Sequence, residues 1–106
     1  MTSLMAYAFH RKLLRARAVR NDAGFEVQFE GMLRVRYSEA GRSMTFPAEP
    51  ATIEQGEFRG KRGWLVAISQ PTKWDDGTLL RETERKLIQE RTRDALRFMG
   101  VPHVAD

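Results

Sequence analysis

The 106-residue chain has no cysteine. Disulfides, thiolate metal sites and a cysteine nucleophile are therefore excluded, and the composition fits a reducing compartment. It also lacks any apolar run near the roughly 20 residues that a membrane-spanning helix needs. Acidic residues are missing from the start: Arg11, Lys12, Arg15, Arg17 and Arg20 all precede the first acid, Asp22. The apolar stretch before them has its basic residues on the wrong side for a secretory signal, so a cytoplasmic protein is expected. Histidine is confined to His10 and His103, with no HExxH-like spacing, which argues against a zinc site. Ser3, Ser38, Ser43 and Ser69 include no GxSxG elbow.

What is present is a small folding domain. The length suits a single domain over 1–106 with one core. The net charge is +4, and the basic segment accounts for it, the remainder being close to neutral with both signs interspersed. Such a segment binds nucleic acid or acidic protein surfaces, or is simply the solvated face of a strand.

Residues 1–12 read as a short helix, from Leu4, Ala8 and Lys12, or as a disordered start. Alternation predicts strands over Leu13–Arg20, Phe25–Phe29 and Leu33–Tyr37. Asn21 to Gly24 reads as a turn, Ser38 to Arg42 as a hairpin connection and Ser43–Phe46 as its return strand. Pro47 and Pro50 bracket an expected irregular link. Ala51–Phe58 follows as a strand with a bulge at Gly56, and Gly60 to Gly63 as a hairpin turn. Trp64–Ile68 is the most continuously apolar strand, and Val101–Ala105 a tail able to add an edge strand.

The longest periodic segment is Leu79 to Met99, read as an amphipathic helix. Leu80, Leu87, Ile88, Ala95, Phe98 and Met99 share one face of its wheel. Asp76 or Thr78 is the expected N-cap, Gly100 the C′ residue, and Pro102 the stop. Glu84 and Arg91 interrupt the apolar stripe. Either Glu84 lies in the first turn and Arg91 snorkels from the edge, or one of them pairs with the sheet and sets the helix register. The expected fold is α+β: a mostly antiparallel sheet of about five or six strands, with one long C-terminal helix packed on one face.

Chemistry-bearing motifs are few. Gly56 to Arg62 is too short between its glycines for a phosphate loop and leads into a strand. Gly60-Lys61-Arg62-Gly63 matches GxxG, but joins strands where an RNA-clamping loop joins helices. Asp75 and Asp76 lack the further oxygen ligands of a calcium loop, and helix capping explains them better. Glu54, Glu57 and Asp75 would form an acid–base cluster only if the last hairpin and the polar turn were neighbours. Trp74, at the corner before the helix, is a core plug or, if half exposed, a contact anchor.

Ile68, Trp74-Asp75, Leu80, Glu84, Leu87-Ile88, Ala95-Leu96, Phe98 and Gly100 resemble a family of small bacterial immunity proteins, which neutralise polymorphic toxins by direct binding. The hairpin Tyr37 to Arg42 is similar to the middle of that family, and the resemblance spans about Phe25 to Val104. The chain departs from the family at Leu80 to Glu84, where the family is more acidic, and in its basic N-terminal extension. The resemblance implies no catalysis and no cofactor, only a toxin-like protein partner. The expected contact patch is Trp74, Asp75, Lys61 and Arg62. The alternative is nucleic-acid binding through Arg11, Lys12, Arg15, Arg17 and Arg20, with Arg34 and Arg36 on the same sheet face.

Overall fold

The computed structural model describes residues 9–11, 18–31 and 33–106. They form seven strands and one helix: β1 (Phe9–Arg11), β2 (Ala18–Asn21), β3 (Phe25–Glu30), β4 (Arg34–Glu39), β5 (Arg42–Thr52), β6 (Arg62–Val66), α1 (Glu82–Phe98) and β7 (His103–Ala105). The sheet follows chain order, β1-β2-β3-β4-β5-β6-β7. Every pairing is antiparallel except β6 with β7. The expected α+β fold is present, with one strand more than the upper expectation. The short edge strand β1 is new, β7 is the edge strand expected of the 101–105 tail, and β5 joins residues expected in two separate strands.

Alternation buries one face of the sheet. Phe25, Val27 and Phe29 of β3 face Val35 and Tyr37 of β4 and Met44, Phe46 and Ala48 of β5 in one core. Ile88, Ala95 and Leu96 of α1, with Met99 at its C-cap, close that core, and Thr92 satisfies its buried hydroxyl by donating to the Ile88 carbonyl at 2.8 Å. The helix face therefore differs from the expected one. Leu87 and Phe98 stay exposed, while Thr92 and Leu96 are buried. Phe98 still stacks on Phe9 of β1, with ring centroids 5.4 Å apart.

Arg91 and Glu84 both reach the sheet. Arg91 donates to Glu39 and to the Tyr37 hydroxyl, each at 3.0 Å, and its guanidinium lies 4.6 Å from the Phe25 ring centroid. Glu84 lies 3.5 Å from Arg42 and also accepts from the Arg81 backbone N–H at 3.2 Å. Two ion pairs to the β4–β5 hairpin thus set the helix register. Burial raises the Tyr37 hydroxyl pKa, so it stays protonated and donates to Glu39 at 2.8 Å.

The helix ends where expected and starts later. Gly100 takes φ 73° and donates to the Arg97 carbonyl, while Val101 donates to that of Leu96. This is the Schellman pattern. The start moves from Leu79 to Glu82, with Arg81 at the N-cap. The Leu80 N–H is taken by the Thr72 carbonyl, and Lys73 bridges Leu79, so these residues belong to a hairpin-like turn.

Pro47 and Pro50 do not break the chain: β5 runs through both. The Ala48 N–H points to Leu33 beside β4, so the Pro47 nitrogen faces β6, just beyond the end of that ladder. The Trp64 N–H goes to Pro102, so its partner Pro50 turns its nitrogen to the flank that β4 has left. Neither position has a ladder bond to lose. The strand expected over Ala51–Phe58 instead stops at Thr52, because Gly56 and Gly60 adopt positive φ in a loop over 53–61. The part of the Leu13–Arg20 reading before Ala18 lies outside the described residues, as do Leu4, Ala8 and Lys12. The expected short helix or disordered start does not extend over Phe9–Arg11, which pair with β2 as strand β1. Among the described residues, no helix is long and apolar enough to cross a membrane.

Candidate functional site

The polar turn after β6 is a structural clip. The Trp74 N–H donates to the Thr78 carbonyl and the Gly77 N–H to that of Trp74, closing the turn. The Asp76 carboxylate accepts from the Thr78 N–H at 2.8 Å, and bonds from Thr78 hold its pKa below the usual range. The Asp75 N–H reaches the Ser43 carbonyl, anchoring the turn on β5. Trp74 is 3% exposed, lies 6.3 Å from Tyr37 between centroids and is covered by the Arg42 guanidinium at 4.2 Å. It is the core plug and offers no exposed anchor.

The solvent face of the sheet is electrically balanced over the described residues. Arg20 stands opposite Glu26 and Arg34 opposite Glu30. Arg36 binds Glu30 at 2.7 and 3.0 Å and lies 3.8 Å from Asp75. The hydrogen bond from Arg36 lowers the Glu30 pKa and raises that of Arg36. Phosphates approaching Arg34 or Arg36 would meet Glu26, Glu30 and Asp75 as well. Lys12, Arg15 and Arg17 lie outside the described residues, and of Arg11 only its place in β1 is described.

The polar turn and the basic loop sit at opposite ends of β5. Asp75 docks at Ser43, whereas Lys61 and Arg62 adjoin Thr52, about 30 Å along the strand at roughly 3.3 Å per residue. Trp74 and Asp75 therefore do not form one patch with Lys61 and Arg62. For the same reason Asp75 does not converge with Glu54 and Glu57.

At the far end an open groove of about 210 Å³ lies between the 53–61 loop, the last turns of α1 and β7. Glu57 and Phe58 line it from the loop, Arg93 and Arg97 from the helix, and His103 and Ala105 from the strand. The loop is held by bonds from Gly60 to Ile53, Ile53 to Lys61 and Lys61 to Phe58. The Phe58 ring packs against His103 with centroids 5.5 Å apart. The His103 Nδ1–H donates to the Val101 carbonyl at 2.7 Å. Arg97 donates to Glu57 at 3.1 Å, with both side chains more than half exposed. A second open depression, of about 230 Å³, lies over Pro47, Glu49 and Leu65. Both volumes fall below the roughly 300–1,000 Å³ of small-molecule sites.

The groove has a backbone wall. Trp64 donates to the Pro102 carbonyl and Asp106 to that of Val66, so β7 turns its even-numbered residues toward β6. Strand alternation then aims the N–H and C=O groups of His103 and Ala105 the other way, along the sheet edge. Gly63 permits this close seating, since a Cβ there would overlap the Pro102 carbonyl.

Of the expected contact residues, Lys61 ends the loop that lines this groove and Arg62 opens β6 after it, but neither lines the groove itself. Arg93, Arg97 and Phe58 were not foreseen, whereas the tail over Val101–Ala105 does add an edge strand, β7. The i,i+4 spacing of Arg93 and Arg97 places both on one helix face and was a legible cue. The seating of β7 beside β6 was not. No family model, characterised protein or solved structure matches the chain.

Proposed function

We propose that the chain is a non-catalytic protein-binding module whose contact surface is the basic groove between β7, the end of α1 and the 53–61 loop. One observation carries the reading: a sheet edge that is unpaired among the described residues runs beside Arg93 and Arg97 in a groove too small for a typical small-molecule ligand. Phe58 adds an aromatic wall, and exposed Arg59, Lys61 and Arg62 extend the positive charge. An acidic protein surface is the complementary partner. That the partner is a toxin, and the chain an immunity protein, is the specific form suggested by the resemblance of its C-terminal half.

The test is capture of a partner by the immobilised protein, with and without nuclease, using wild type and an Arg93→Glu/Arg97→Glu double variant. The expected result is a nuclease-resistant protein partner held by wild type and lost by the variant, with unfolding midpoints unchanged. Equal capture by both would overturn the groove. Recovery of nucleic acid alone would move the function to the basic N-terminal segment.

A further inference from the structure

We infer that the groove takes its partner as an extended acidic segment, which adds as a further strand to the free edge of β7. The inference rests on the groove being the binding surface and specifies what enters it. The edge groups belong to His103 and Ala105, the β7 residues that line the groove. A chain lying there would pair its main chain with theirs and project alternate side chains toward α1.

Those side chains meet Arg93 and Arg97, both exposed. Arg97 bonds to Glu57, with the two side chains 61% and 55% exposed, and Asp94 faces both Arg97 and Arg93 electrostatically. An exposed pair of this kind is weak. An incoming carboxylate therefore displaces Glu57 from the guanidinium at little cost, and Arg93 receives a second one. Beyond the groove, Arg59, Lys61 and Arg62 are balanced by the acids Glu54, Glu90, Asp94 and Asp106, so the preference for an acidic segment rests on Arg93 and Arg97 themselves. Basic segments are disfavoured by the same charges.

The probes are two synthetic hexapeptides, alternating Glu-Val and alternating Lys-Val, titrated into the intact protein and followed by amide NMR. The Glu-Val peptide is expected to shift and protect the His103 and Ala105 amides, and the Lys-Val peptide to leave them unmoved. Ala105→Pro removes an outward N–H without touching the ladder to β6. It should weaken Glu-Val binding by roughly tenfold, the loss of a main-chain hydrogen bond together with some edge fit. Arg93→Glu/Arg97→Glu should abolish binding, with the dispersion of the remaining resonances reporting that both variants fold. Should Ala105→Pro not fold, the wild-type protection pattern and the double variant decide the question. Shifts mapping away from β7, equal binding of both peptides, or no Glu-Val binding would each overturn strand addition. If partner capture by the whole protein still depended on Arg93 and Arg97, the groove would stand and only its mode of occupancy would fall.

Discussion

The two ends of β5 use the same chemistry for opposite purposes. At the hairpin end Arg91 meets Glu39 at 3.0 Å with only 11% of its side chain exposed, and it also holds Tyr37 and covers Phe25. At the groove end Arg97 meets Glu57 at 3.1 Å, but both groups stand in solvent. The lengths barely differ, so burial decides what each pair does. A pair whose arginine is largely withdrawn from water fixes one helix register, because breaking it strands that charge. A pair left in water exchanges partners freely. The hairpin end is built to hold, with Trp74 clamped beneath Arg42 and its turn tied to Ser43. The groove end has an open strand edge and loosely committed arginines.

Substitutions should separate the ends by size of effect. Trp74→Ala should cost about 3–5 kcal/mol in denaturant unfolding, as for other buried large aromatics. A loss under about 1 kcal/mol would mean that the turn is not part of the core. Arg91→Ala should cost about 2–3 kcal/mol, less than the roughly 3–5 of fully buried pairs because Glu39 keeps some contact with water. Arg97→Ala should change stability by less than about 0.5 kcal/mol. If Arg91→Ala and Arg97→Ala proved equal, the contrast between the ends would be lost.

The smallest expected effect is in pH. Burial, and then Glu90, push the Asp94 pKa up. Its folded value lies above its unfolded one, so the ionised form opposes folding and stability rises as pH falls through the raised value. The Arg36 hydrogen bond holds Glu30 down, so its contribution is present above the ordinary Glu range and is lost as pH falls through the lowered value. On acidification the two groups therefore contribute with opposite signs, and Asp94→Asn should make the loss of stability steeper, a result checked by unfolding curves from neutral pH down through the carboxylate range.

Much of the fold was legible in local pattern. The alternation of Phe25 to Phe29 and Leu33 to Tyr37 reported half-buried strands, and Gly100 with Pro102 marked the helix end. The helix start was not legible, because Leu79 and Leu80 fit the helical period and only the pairing of Leu80 with Thr72 removes them. The prolines misled because a proline breaks a strand only where its N–H would have been bonded, and that depends on the neighbouring strands. Trp74 and Arg91 each admitted two readings, and the structure chose between them through contacts with Arg42, Tyr37 and Glu39. The groove was the least legible. Lys61 and Arg62 announced a basic loop, but the edge beside it exists only because the helix returns β7 alongside β6, and no local pattern encodes that return.

Amide hydrogen exchange of the free protein tests the open edge most directly. Val104 and Asp106 face β6 and should exchange slowly, whereas His103 and Ala105 should exchange at rates near those of unstructured peptides. Slow exchange at all four would show that the outer side of β7 is already bonded, and the proposed entry for a partner strand would be closed.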